Sequence, residues 1–199
     1  RKNEVIRHER NDLLNYERFS TPIAFALKAL SPVNDATDLE VVRRPVRIRN
    51  LHPDMEGFRI IFLTDFHVHP TLREEYFRET IRVALEREPD VILLGGDFIS
   101  KPPWRWLARR VLRELKTHPS VYAVRGNHDF WTRPSFFGEM LRRWNVKLLS
   151  NELTVLERGE ARLVLAGLED PYIPLTPRRM EELETELREL DETHGPLPR

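Results

Sequence analysis

The sequence predicts an α/β protein built around a parallel sheet. Three observations carry that expectation. From residue 58 onward, apolar runs of strand length alternate with amphipathic helical stretches, the pattern of layered α/β folds. The run Asp90-Val-Ile-Leu-Leu94 has no polar alternation, as expected of a strand covered on both faces. Each of the first three strands in this series ends in a cluster of polar residues, where open α/β sheets hold their ligands.

The elements follow in order. Residues 1–19 read as a surface helix from the loose spacing of Ile6, Leu13 and Leu14, and residues 31–40 as a linker. Residues 1–44 are thus expected to form a helical appendage with its linker, ahead of a main domain over 45–199. A strand is predicted through Val46, Ile48 and Leu51, with Arg47 and Arg49 on its other face. Residues 58–64 form the next strand. Residues 72–88 form a helix with Tyr76, Phe77, Ile81, Ala84 and Leu85 on one side. Strand 90–94, helix 104–117 and strand 120–124 come next. A helix over 134–144 opens with Pro134 in its first turn. Three short strands follow at 147–149, 153–156 and 162–166, with Arg158-Gly159 at a turn. Residues 177–191 give a charged helix with Met180, Leu183, Leu187 and Leu190 inward.

Composition narrows the function classes. The 199 residues carry 32 Lys+Arg and 32 Asp+Glu, a formal net charge of zero. An electrostatic nucleic-acid binder normally shows a basic excess. A disordered chain needs low hydrophobicity with high net charge, and here 40% of residues are hydrophobic. There is no cysteine, so disulfides, thiolate nucleophiles and Cys-based zinc sites are excluded. The longest apolar-leaning stretch near the start, residues 23–30, is too short to cross a bilayer, which takes about 20 residues.

Three segments carry the chemistry: Thr64-Asp65-Phe66-His67-Val68-His69, then Gly95-Gly96-Asp97, then Gly126-Asn127-His128-Asp129. Alone, each has a plain reading. Gly-Gly-Asp is a common turn, and Asn-His-Asp is a ready cap for a following helix. Together, at the carboxyl ends of successive strands, they should converge on one crevice. Carboxylate, imidazole and amide oxygen without sulfur suit Mn, Fe, Zn or a similar divalent ion. The glycines allow backbone angles and close approaches that other residues do not.

The series Asp65-x-His67, Gly96-Asp97 and Gly126-Asn127-His128-Asp129 resembles the first three blocks of the calcineurin-like metallophosphoesterases. Residues 57–67 and 89–97 resemble the bacterial branch that includes membrane-associated phosphodiesterases and UDP-diacylglucosamine pyrophosphatase-like enzymes. The strand at 45–51 and Gly167-Leu-Glu-Asp170 fit that branch as well, so the resemblance covers about residues 45–191. It implies a four-layer α/β/β/α sandwich and two divalent ions, Mn, Fe or Zn. Asp65 and His67 would bind the first ion, Asp97 would bridge both, and Asn127 would bind the second. His128 would serve the leaving oxygen, with Asp129 orienting it. The implied reaction is hydrolysis of a phosphodiester or pyrophosphate by a metal-activated hydroxide, with lipid-linked and nucleotide-linked substrates both open; the zero net charge argues against a specific nucleic-acid partner.

The resemblance also has departures. The family pattern continues with a lone His and then a Gly-His-x-His block, and this chain contains neither; His194 lies before the point where the lone His would fall. The start at Arg1 and the loop-like end favour a chain lacking its C-terminal part. The alternative is a non-catalytic scaffold or binding module of the same fold with an incomplete metal site.

The remaining features divide between two readings. His69 is either a loop residue or a group near the metals; His8, His52 and His118 read as surface. Trp131 either lines a substrate cleft or packs on the sheet. Arg43, Arg44, Arg47 and Arg49 make either a solvated strand face or a peripheral contact with anionic membrane headgroups.

Overall fold

The computed structural model describes residues 4–8, 20, 22–23, 37–49, 51–132, 134–170 and 175–195. Its centre is a four-stranded parallel sheet of β3 (Ile60–Leu63), β4 (Val91–Leu94), β5 (Val121–Ala123) and β6 (Val146–Leu148), in that spatial order. The crossovers carry α1 (Glu74–Leu85), α2 (Arg105–Leu112) and the pair α3 (Asn127–Trp131) and α4 (Pro134–Arg143). An antiparallel hairpin of β7 (Glu152–Arg158) and β8 (Ala161–Gly167) follows, and then α5 (Pro177–His194).

The period of two along each strand decides the layers. Ile92 and Leu94 of β4, and Val121 and Ala123 of β5, pack with Phe77 and Ile81 of α1, Val111 and Leu112 of α2, and Phe137 and Leu141 of α4. The intervening Val91, Leu93, Tyr122 and Val124 meet Leu156, Leu163 and Leu165 of the hairpin. Helices therefore cover one face and a second sheet lies on the other. This is why 90–94 lacks polar alternation: both of its faces are buried. Each fully buried side chain of this kind stabilises the fold by about 1.5–3 kcal/mol. The hairpin does not reach across β3, whose Ile60 and Phe62 stay 46% and 63% exposed.

Several expectations need correction. Glu4–His8, inside the predicted surface helix, is a strand (β1) paired antiparallel with β2 (Leu39–Arg43). The rest of the predicted helix lies outside the described residues. The linker is thus strand at its C-terminal end. No strand forms at 44–49, although Val46, Ile48 and the arginines alternate there. Pro45 has no N–H to give a ladder, and Val46 is 78% exposed. Strand 147–149 is Val146–Leu148 and joins the first sheet in parallel with β5. The helix at 104–117 is α-helical only through Leu112 and 3-10 over Arg113–Thr117. In α5, Leu183 is buried but Met180 is 46% exposed. Among the described residues no helix is long and apolar enough to cross a membrane.

Candidate metal centre

The parallel pairing of β3 with β4 continues past both strands. Asp65 N donates to Gly96 O, His67 N to Asp97 O and Val68 N to Phe98 O, at 3.1, 2.9 and 2.9 Å, and Val68 pairs with Ile99 in an isolated bridge. The loops after the two strands are therefore zipped side by side. Register alone places Asp65 and His67 beside Asp97. Asp65, His67 and Asp97 all take positive φ, 54°, 40° and 54°. Such angles in non-glycine residues are strained and cluster at functional sites.

The third loop is fitted to the second by two glycines. A Cβ on Gly96 would lie 2.4 Å from Gly126 N, and one on Gly126 would lie 2.2 Å from Asp97 Oδ1. Only bare backbone lets these loops approach so closely. The approach delivers α3 to the site. His128 N donates to Asp97 Oδ1 at 2.9 Å, while Asp97 Oδ2 stands 3.6 Å from His67 Nε2. The two oxygens of one carboxylate thus face different sides.

His67, Asp97 and His128 offer ligand atoms all within 4.8 Å of one another. Asp65 lies at the rim of this group, 61% exposed, its Oδ1 3.5 Å from His67 Nε2 and its Oδ2 accepting from Thr64 Oγ1 at 2.8 Å. Asn127 is half-buried at the first residue of α3, next to His128. The His67 and His128 rings meet edge-on with centroids 4.6 Å apart. Carboxylates and imidazoles converging on so small a volume fit a divalent cation.

Asp129 is engaged by backbone on all sides of its carboxylate. Its carboxylate is fully buried and accepts from Asp97 N, Phe98 N and Gly126 N at 2.8, 3.0 and 3.0 Å. It caps its own short helix and clamps the second loop to the third, instead of pairing with the His128 ring. Burial pushes its carboxyl up to about 6, against the pull of the three N–H donors. The His128 ring is held by Ser100, whose carbonyl lies 3.2 Å from Nδ1. A carbonyl only accepts, so Nδ1 carries the hydrogen. Ser100 Oγ also donates to His67 O at 3.0 Å.

Sequence reasoning passed over Ser100 and also Arg125. The Arg125 guanidinium reaches Glu169 just after β8 and donates to Ser150 Oγ at 2.9 Å. It lies over the Phe130 ring, 4.7 Å from the centroid. One signal was available: Arg125 directly precedes Gly126-Asn127-His128, in a chain position otherwise occupied by apolar strand. His118, read as surface, bridges Pro89 O at 2.9 Å through Nε2 and contacts Ser120 through Nδ1. His52 is exposed and caps a 3-10 turn, and His194 ends α5 exposed. His69 meets the Trp104 ring edge-on at 5.3 Å. The side chain of His8 lies outside the described residues.

Comparison with known proteins agrees with this geometry. A model of the family "Calcineurin-like phosphoesterase" matches residues 58–191. A Danio rerio "Transmembrane protein with metallophosphoesterase domain" is 28% identical over 153 residues, covering 74% of this chain and 35% of that protein. The Escherichia coli "Phosphodiesterase YaeI" is 30% identical over 121 residues, 57% of this chain and 44% of that one. The Chlamydia muridarum "UDP-2,3-diacylglucosamine pyrophosphatase LpxG" is 27% identical over 92 residues, 45% of this chain and 27% of that one. The chain spans less than half the length of each of these relatives.

Proposed function

The chain belongs to the calcineurin-like phosphoesterase family, and from that premise we propose that it contributes the catalytic face of a metal-dependent phosphodiesterase or pyrophosphatase. The observation that carries this reading is the convergence of His67, Asp97 and His128, with Asp65 and Asn127 beside them, at the carboxyl ends of β3, β4 and β5. The names of the bacterial relatives, a phosphodiesterase and a pyrophosphatase, support the reaction class.

Asp65 and His67 would hold one divalent ion, Asp97 would serve both ions, and Asn127 would hold the second through its amide oxygen. Bound there, two such ions neutralise charge on the phosphoryl oxygens and acidify water near neutral pH. The split environment of the Asp97 oxygens suits a shared ligand. His67 is oriented through its backbone, which is locked to Asp97 O and to Ser100 Oγ.

His128 is the proton donor in this reading. With Nδ1–H directed at Ser100 O, the charged ring has its second proton on Nε2. Transfer of that proton to the departing oxygen leaves the neutral Nδ1–H tautomer, which Ser100 continues to hold. General acid help of this kind contributes about 10²–10⁴-fold. Asp129 acts at one remove, by fixing the loop from which His128 projects.

The test is Mn²⁺-dependent hydrolysis of bis(p-nitrophenyl) phosphate by this chain, with Asp97→Asn as control. Turnover that requires Mn²⁺ and disappears in the variant supports the assignment. No Mn²⁺-dependent turnover, together with no Mn²⁺ binding in a titration, sinks it in favour of a non-catalytic module. The Asp97→Asn chain should also lose affinity for both ions; two ions retained at full affinity would remove Asp97 from its shared role.

A further inference from the structure

Trp131 is the last residue of α3, three positions after His128. Residues three apart lie on one face of a helix, and the two rings do meet, with centroids 4.7 Å apart and planes at 54°. The His128 ring also meets His67, edge-on at 4.6 Å. His128 therefore touches both His67, of the candidate metal group, and the indole of Trp131. The indole is 58% exposed, whereas Trp144 of the same layer is 8% exposed. Indoles normally bury their large apolar area. This one leaves much of it in water, beside the residue that would serve the leaving oxygen.

We propose that Trp131 forms the wall of the leaving-group subsite, and that this subsite takes a planar aromatic group carried on the part of the substrate that departs from phosphorus. The proposal rests on the phosphoesterase reading. With the departing oxygen at His128, the group that leaves with it is held next to the ring that His128 touches, the Trp131 indole. A flat apolar face favours a flat partner, because stacking adds to the area buried. A simple aryl ester and a nucleobase-bearing phosphate share this chemistry.

The experiment is calorimetric binding in Mn²⁺ of benzylphosphonate, ethylphosphonate and α,β-methylene-ADP to the wild-type chain, Trp131→Ala and Trp131→Phe. The wild type should prefer benzylphosphonate to ethylphosphonate. Trp131→Ala should weaken benzylphosphonate about tenfold while ethylphosphonate changes less than about twofold, and Trp131→Phe should restore most of the loss. A matching loss for the ADP analogue supports the proposal with a nucleobase as the source, and its absence supports it with a small aryl ester. Equal loss for benzyl and ethyl ligands, or no loss for either, overturns it. Mn²⁺-dependent ethylphosphonate binding without a benzyl preference removes only the Trp131 subsite. No Mn²⁺-dependent binding of any probe by a chain that binds Mn²⁺ overturns the subsite alone, and no Mn²⁺ binding at all overturns the phosphoesterase reading and the subsite with it.

Discussion

Arg125 holds Glu169 across the junction of the two sheets: Nε donates to Oε1 at 2.5 Å, and the side chains are 15% and 2% exposed. The pair ties the loop that carries Asn127 and His128 to the end of the hairpin, and Asp170 N reinforces it by donating to Arg125 O at 3.4 Å.

Removing one partner of such a pair strands the other as a buried charge. Arg125→Ala should therefore destabilise the fold by about 3–5 kcal/mol. Glu169→Gln keeps a carbonyl that accepts from the guanidinium and should cost less. Urea denaturation of the two single variants and the double variant gives the coupling directly. Additive effects would mean that the contact carries no interaction energy.

Gly126 presents a different sensitivity. Its φ of −92° suits any residue, so Gly126→Ala acts only through the Cβ that would lie 2.2 Å from Asp97 Oδ1. The Asp97 carboxylate must then move, and so must its backbone nitrogen, 2.8 Å from the same Cβ. Mn²⁺ affinity should fall at least tenfold while much of the fold survives, which a titration alongside circular dichroism would reveal. Gly96→Ala should be harsher, because φ is +92° and the obstacle is Gly126 backbone. Wild-type Mn²⁺ affinity in Gly126→Ala would separate Asp97 from the metal.

His128→Ala should keep bound metal but lose turnover by about 10²–10⁴-fold, most for esters with poor leaving groups. Metal analysis and a leaving-group series read this out. The closeness of His128 to His67 and Asp97 gives the contrary outcome a clear meaning. A metal loss as large as that of Asp97→Asn would make His128 a ligand instead of an acid.

Asp129→Ala should damage the fold before the chemistry. It leaves three backbone N–H groups, those of Asp97, Phe98 and Gly126, without their acceptor. A buried unsatisfied donor costs about 1–3 kcal/mol, so a loss of at least about 3 kcal/mol in chemical denaturation is expected. A variant with full stability and a shifted pH–rate profile would return Asp129 to direct partnership with His128.

Much of the site was legible along the chain because parallel α/β topology converts sequence order into spatial order. Strand ends at Thr64, Leu94 and Val124 had to lie side by side, and their loops brought Asp65, His67, Asp97, Asn127 and His128 with them. The β1 strand was not legible: its partner Leu39–Arg43 lies more than thirty residues away, and Ile6, Leu13 and Leu14 fit a helical spacing as well. The strand expected through Val46 failed for the opposite reason. Alternation signals a strand only when a neighbour supplies the ladder, and none of the described residues does so there.

The amino-acid order by itself determined the layered class, the place of the candidate site and the kinds of side chain it gathers, because periodicity and loop position are local properties. Tertiary structure alone decided which group serves which. Asp129, adjacent to His128 in sequence, is committed to three backbone donors in two loops, and Ser100, 28 residues away, holds the His128 ring. It likewise decided that Trp131 stays in water and that Arg125 finds Glu169. Hydrogen bonds, ion pairs and burial depend on distances between elements, and those distances are set by the zipped loops after β3 and β4 and by the docking of the hairpin on the sheet.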